Sequence, residues 1–284
     1  MKIGTTALTN CKIGSVQVNE VRIGSTLVWS YGFDPDAQAF ITAAGITDPI
    51  QQNAINQLVL DLKGYSIWTK MKALYPFVGG TATTHKYNLK NPLDTNAAFR
   101  LVFSGGWTHS STGALPNGTN AWANTYFNPS TNSLTYNNNH LSYYSRTNAI
   151  SIYDIGSGEN TGLKNLGLYL RRTGDVAGYD SGNYLTNRNT FSNIDSKGFF
   201  NGTVISSNSK YFKNGNNQST KSLTSSTITA LSVYIGAFNE DNIASYYTSK
   251  QVSFASIGLG LSDTEAANFY TAVQTFQTTL SRQV

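Results

Sequence analysis

Apolar and polar positions alternate from the start of the chain. Val16 and Val18 flank Gln17, Val21 and Ile23 flank Arg22, and Leu27 and Trp29 flank Val28. Period-2 alternation among β-branched residues, broken by Gly and Asn, predicts short strands joined by tight turns. The same stretch repeats one phrase at a spacing of ten: Lys2-Ile3-Gly4-Thr5, Lys12-Ile13-Gly14-Ser15 and Arg22-Ile23-Gly24-Ser25. Strands this short bury too little apolar surface to stand alone, and a repeat that cannot close its own core is completed by its neighbours. Residues 1–31 therefore read as a docking or oligomerisation module, with Ile3, Ile13, Ile23, Val28 and Trp29 as its assembly residues. The competing reading is a small β-meander lying on the main domain.

The pattern changes at Gly32-Phe33-Asp34-Pro35. Residues 36–44 predict a short helix stopped by Gly45. Asp48 before Pro49 is a helix start, a capping residue followed by proline in the first turn. Ile50, Ala54, Ile55, Leu58 and Leu62 then fall on one helical face, and Gly64 ends the run. A third helical stretch is predicted from Ile67 to Leu74, before Pro76. Residues 32–76 thus form a helical connector.

From Phe77 to about Gly260 short apolar or alternating runs are separated by Asn/Gly/Ser clusters. The predicted strands are Phe99 to Phe103, Leu141 to Ser145, Ala149 to Tyr153, Leu166 to Leu170, Thr203 to Ser206, Leu231 to Ile235 and Gln251 to Ile257. Many short strands with such turns predict a β-sandwich or jelly roll. Ser262-Asp263-Thr264-Glu265 is a capping box. It opens a terminal helix whose apolar stripe is Ala266, Phe269, Val273, Phe276 and Leu280, expected to pack on the sandwich or the 50–74 segment of the same chain. The fold class is mainly β: residues 77–284 form the sandwich with its terminal helix.

Composition narrows the function classes. The 284 residues are 39% hydrophobic, with 17 Tyr, 14 Phe and 4 Trp, enough for a packed core. Charged residues make up only 12%, about half the usual share, so Asn, Ser, Thr and Gly build the polar surface. The net charge of +5 is scattered, with Arg171-Arg172 the only adjacent basic pair, so no nucleic-acid partner is expected. Cys11 is the only cysteine, which excludes an internal disulfide and reads as a buried thiol. No apolar run has signal-peptide or membrane-spanning length. The expectation is a protein made in a cytoplasm, without membrane insertion.

Catalytic and metal chemistry find little support. His85, His109 and His140 are far apart in sequence and form no zinc-ligand spacing. The acidic residues are mostly isolated, without the paired run that would place two carboxylates about 5 Å apart around a sugar. Asn239-Glu240-Asp241-Asn242 and Asp175/Asp180 could contribute oxygen ligands to calcium, but a solvated loop is the preferred reading. Neither an enzyme nor a cofactor nor a metal is expected. What remains is a binding surface in which aromatic rings stack on sugars and Asn and Ser supply hydrogen bonds. Its candidates are Trp107, His109, Trp122, Tyr126, Tyr144 and Arg146. The opposing reading places the tryptophans in the core, and Tyr143 and Tyr144 point to opposite faces of a strand, so at most one is exposed.

Ser209-Lys210-Tyr211-Phe212-Lys213-Asn214-Gly215 resembles the strand and turn of laminin-G and concanavalin-A-like lectin domains; Asn-Gly suits a type I′ turn. Val233-Tyr234-Ile235-Gly236-Ala237 resembles the next strand. Phe254-Ala255-Ser256-Ile257-Gly258, followed by Leu261-Ser262-Asp263 and Glu265, resembles the closing strand and its helix entry. More widely, the N-terminal repeats, Gly106-Trp107-Thr108-His109 and the Tyr270–Gln277 ending resemble structural proteins of tailed bacteriophages. This resemblance implies a non-enzymatic virion protein, a fibre or decoration on the outer surface. Its partners would be other virion proteins, sister copies (a trimer) and a host-surface glycan. The alternatives are a free carbohydrate-binding module and a polysaccharide-degrading enzyme.

Overall fold

The computed structural model describes residues 32–284 in full and, within residues 1–31, only the backbone of six short strands. Those strands pair as three hairpins: Lys2–Ile3 with Thr6–Ala7, Lys12–Ile13 with Val16–Gln17, and Glu20–Ile23 with Thr26–Ser30. One copy of the repeated phrase therefore accompanies a whole hairpin, where alternation predicted single strands. The side chains of Ile3, Ile13, Ile23, Val28 and Trp29, and the whole of Cys11, lie outside the described residues. Met1–Pro35 and Asp36–Val284 are separate compact units.

The second unit begins with two helices, Pro35–Ala44 and Pro49–Gly64. The Asp48 carboxylate accepts from the amides of Ile50 (2.7 Å) and Gln51 (3.4 Å), closing the free end of the second helix as its sequence predicts. Ala54, Ile55, Leu58, Val59 and Leu62 are its buried stripe, whereas Ile50 is exposed, one turn too early to reach the core. The expected third helix is corrected. Trp68–Lys70 makes one 3-10 turn, and Met71–Tyr75 is a strand paired with Val252–Gly258. Met71, Ala73, Leu74 and Tyr75 are buried there, and sheet pairing overrides their local helical preference.

Two sheets, antiparallel at all pairings but one, face each other. The eight-stranded sheet orders Asn216–Ser222, Asn208–Lys213, Gly198–Ile205, Asn138–Ser145, Val252–Gly258, Gly113–Pro116 and Trp107–Ser110, with Met71–Tyr75 beside Val252–Gly258. The nine-stranded sheet orders Asn189–Ser192, Val176–Gly182, Asn165–Arg172, Ile155–Gly158, Tyr234–Ile235, Trp122–Asn124 and Val102–Ser104. Phe238–Glu240 and Ile243–Ser245 form a hairpin beside Ile155–Gly158, whose partner Phe238–Glu240 runs parallel to it. Residues 149–153, expected as a strand, are irregular. The Asn214-Gly215 turn has φ of 49° and 75°, the double left-handed geometry of a type I′ connection. Leu141, Tyr143, Phe200, Ala255 and Ile257 from one sheet meet Ile155, Leu166, Leu168, Leu170 and Tyr179 from the other in a single core.

The outer face of the eight-stranded sheet is covered by the terminal helix Asp263–Thr279, which also packs along Pro49–Gly64. Its capping box is formed: Ser262 Oγ accepts the Glu265 amide (3.3 Å), and Glu265 Oε2 accepts the Ser262 amide (2.8 Å). Phe269 meets Phe199 and Phe254 edge-on at 5.1 and 5.8 Å, and Phe276 meets Phe254 at 6.4 Å. Beyond the helix, fully buried Arg282 donates to the carbonyls of Phe77 (2.7 Å), Pro76 (2.6 Å) and Ser253 (2.9 Å) and to Gln277 Oε1 (2.6 Å). Its charge is spread over oxygen dipoles without a carboxylate.

Two testable outcomes follow from this packing. Phe276→Ala is expected to cost about 3–5 kcal/mol and to lower the Tm of the isolated chain. Unchanged monomer stability with loss of an oligomer would move this helix to an interface. The second outcome concerns pH. Burial pushes the imidazole of His140 down to about 4 and, with His109 and Arg282 nearby, that of His85 to about 3. Both are neutral when folded and take up protons near 6.5 when unfolded. Stability is therefore full above that pH and falls as pH drops through 6.5 toward 4 and 3. Urea midpoints measured from pH 7 to 5, above the carboxylate range, should fall, and less so in His140→Gln; a flat profile contradicts this.

Candidate functional site

On the nine-stranded sheet, inward Ile155, Leu166, Leu168 and Ala177 alternate with outward Gly156, Gly167 and Gly178. Two rings lie in the space these glycines leave. A Cβ on Gly167 would stand 2.6 Å from Tyr153 Cε1, and one on Gly156 would stand 3.0 Å from Phe238 Cδ2. Tyr153 and Phe238 stack with centroids 4.2 Å apart. Tyr246 stands beside them at 6.1 and 6.4 Å.

Asp180, wholly buried, anchors this aromatic bed. Arg188 donates to both its oxygens at 2.8 Å, and the Tyr153 hydroxyl donates to Oδ2 at 2.5 Å. Burial and the Asp180 charge push the Tyr153 hydroxyl well above the usual tyrosine range. Burial works against the Arg188 cation, but its hydrogen bonds to Asp180 more than offset this and hold it charged. The Arg188 guanidinium also lies 4.5 Å over the ring of Tyr184, which opens a helical turn capped by Asn183. The Tyr184 amide donates to Gly162 O (3.0 Å) and the Asn160 amide to Asp241 Oδ2 (3.1 Å), so three loops meet here.

Together these elements frame a cleft of about 210 Å³. Tyr246 and Tyr184 contribute aromatic faces above the buried Tyr153 and Phe238, Asn160 and Asn165 amides, and Arg172, Arg188, Glu159 and Glu240 charges. Glu159 is held by Lys164 at 2.9 Å, and the Tyr246 hydroxyl reaches Glu240 at 3.4 Å. Two larger hollows, about 640 and 470 Å³, lie beside Ile205 and Ser206; both are lined by Thr, Ser, Asn, Lys and aliphatic groups without one aromatic face.

The six ligand candidates named from sequence are not brought together. Trp107 packs against the core, its indole N–H donating to Trp122 O at 3.2 Å, and Gly236 leaves room for its ring. His109 is spent on His85, Nδ1 to Nδ1 at 2.9 Å. Trp122 stacks on Tyr234 at 4.4 Å on the outer sheet face, and half-buried Tyr126 follows the same strand. Tyr144 requires correction: it is completely buried, its hydroxyl donating to Gln274 (3.1 Å) of the terminal helix, because its strand position faces that helix. Arg146 donates to Arg282 O (2.7 Å) and Gln251 Oε1 (3.1 Å), tying the C-terminal segment to the sheet. Asp175 and Asp180, considered as calcium ligands, pair with Arg171 and Arg188 instead. No cluster of three or more His, Cys, Asp or Glu suited to a metal occurs among the described residues.

No protein-family model matches the chain, and no curated protein matches it. Among solved structures, domain 4 of AbnA, a GH43 extracellular arabinanase from Geobacillus stearothermophilus in complex with arabinotriose, is similar. It has 11% identity and a TM-score of 0.48, over 70% of this chain and 98% of that domain. The Ruminococcus gnavus IT-sialidase CBM40 bound to α2,3-sialyllactose matches 46% of this chain and 80% of its own, at 16% identity and TM-score 0.36. A Trypanosoma rangeli sialidase mutant displaying trans-sialidase activity matches 79% of this chain but only 39% of its own, at 10% identity and TM-score 0.49. These neighbours are carbohydrate-binding modules and glycosidase domains. The chain's own topology, two facing and mainly antiparallel sheets with few helices, is that of a β-sandwich.

The cleft went unnoticed in the sequence because its aromatics are scattered over nearly a hundred positions, from Tyr153 to Tyr246. The available signal was glycine at alternate positions within otherwise apolar strands, a mark of close approach by another group. Gly167→Ala should lift Tyr153 and Phe238 and cost about 1–3 kcal/mol, with a changed near-ultraviolet circular dichroism spectrum. Gly64→Ala, at a helix end with no atom within 4 Å of the added carbon, should leave both unchanged. Identical behaviour of the two variants would contradict this account of the aromatic bed.

Proposed function

We propose that residues 36–284 form a non-catalytic glycan-binding module whose ligand lies in the Tyr153–Phe238–Tyr246 cleft. The supporting observation is a buried Tyr153–Phe238 pair laid on glycines, with Tyr246, 39% exposed, and half-buried Tyr184 lining the cleft beside it. Sugar rings present apolar C–H faces to aromatic faces, while amides, carboxylates and guanidinium groups bond their hydroxyls. Exposed Ile152 and Ile243 widen the apolar rim. A hydrolytic reading would need two carboxylates at a set spacing around a glycosidic bond. Here Asp180 is spent on Arg188 and Tyr153, and Glu159 on Lys164, which favours binding over hydrolysis.

The N-terminal repeats and charge-poor surface support a placement of this module on the outside of a tailed-phage particle, with other virion proteins and sister copies as partners. Electron microscopy of an intact particle, locating the chain and its contacts, tests that placement. Tyr246→Ala should weaken binding to any glycan scored on an array by about tenfold or more, the loss of roughly 1.4 kcal/mol, while Trp122→Ala leaves it unchanged. The reverse pattern would move the site to the Trp122–Tyr234 pair. An array without hits would leave a purely structural role.

A further inference from the structure

Among the described arginines, Arg172 alone has a guanidinium with no hydrogen bond or ion pair within the chain; the guanidinium groups of the other five each bond at least one oxygen. It ends the strand Asn165–Arg172 and lines the cleft. It is nevertheless positioned, because its guanidinium lies 5.0 Å over the centroid of Tyr169. The Arg188 guanidinium lies 5.5 Å over the same ring. Two cations thus share one aromatic ring, and only Arg188 has a carboxylate, Asp180, beside it.

A fixed, half-buried guanidinium with every donor unused is matched by a planar anion that can take two parallel N–H bonds. The remaining charges in the cleft narrow the anion. Glu159 is neutralised by Lys164, but Glu240 has only the Tyr246 hydroxyl. A single negative charge is tolerated beside such a carboxylate, whereas a phosphate dianion is repelled more strongly, and a singly charged sulfate ester lacks the planar two-oxygen edge of a carboxylate. Resting on the glycan reading of this cleft, we infer that Arg172 is the anchor for the carboxylate of an acidic sugar. The sugar ring lies against the exposed ring of Tyr246, and Glu240 accepts from its hydroxyls.

Uronic acids and sialic acids share this chemistry, and calorimetry can separate them. The probes are an oligogalacturonate and a sialylated trisaccharide, each beside its carboxyl-reduced, neutral counterpart, titrated into the full chain. At least one acidic probe should bind ten-fold or more tightly than its reduced form, an advantage that shrinks as sodium chloride is raised. Arg172→Gln should abolish that advantage and leave the weak binding of the neutral form intact, while Arg172→Lys retains part of it. Tyr246→Ala should weaken acidic and neutral forms alike. Melting temperatures close to that of the parent chain establish that the variants are folded. Equal binding of acidic and reduced probes, or an advantage that survives Arg172→Gln, overturns the carboxylate anchor while leaving the glycan site in place. Binding of neither pair, together with an array that shows no glycan, overturns the glycan reading itself.

Discussion

The ion pair between Lys250 and Asp154, both wholly buried with Nζ and Oδ1 3.0 Å apart, holds together the segments from which the cleft is built. Asp154 directly follows Tyr153. Its carboxylate also accepts from the Leu170 amide (2.8 Å) and from the hydroxyls of Ser151 (3.0 Å) and Thr248 (2.6 Å). Lys250 donates in addition to Ser151 Oγ and to the Arg171 carbonyl. Burying two charges costs solvation that their attraction only partly returns, so the pair is a weak source of stability. Its effect is geometric. With every donor and acceptor engaged, the loop carrying Tyr153, the strand ending in Arg172 and the segment after Tyr246 have one arrangement.

The two faces of the sandwich are put to different use. The eight-stranded sheet buries its outer face under the terminal helix, with aromatic edges from Phe199, Phe254 and Phe269 closing the layer. The nine-stranded sheet has glycines on its outer face: Tyr153 from a loop and Phe238 from a hairpin lie on Gly167 and Gly156, and Tyr169 of the sheet itself lies on Gly178. The rings recruited from a loop and a hairpin lie flat on the sheet and floor a shallow cleft. Asp180 under Arg188 and Tyr153 then supplies the fixed polar wall.

Local signals were legible wherever they could be satisfied locally. The Asp48-Pro49 start, the Ser262–Glu265 capping box and the Asn214-Gly215 turn all concern backbone groups within a few residues of each other, and each forms as expected. The buried stripe of the terminal helix and many short strands also follow from periodicity. Met71–Tyr75 and residues 149–153 went the other way. The apolar run at 71–75 is compatible with helix or strand, and a partner strand almost two hundred residues away decides it; at 149–153 the buried Lys250 binds Ser151 and the backbone stays irregular.

By itself, the sequence determined the class of fold, the caps and turns that punctuate it, and a chemistry poor in charge and rich in aromatic and amide groups. It could not say which aromatics would be exposed, because alternation assigns a residue to a face without saying what covers that face. Tyr144 is hidden by a helix more than a hundred residues distant, and Trp107 is absorbed at the core edge. Tyr246 and Arg172 become a site only because the sheet order brings the 153, 172, 188 and 238–246 segments to one surface. That order is set by long-range strand pairing and by the buried Lys250–Asp154 contact, interactions that no local stretch of the chain contains.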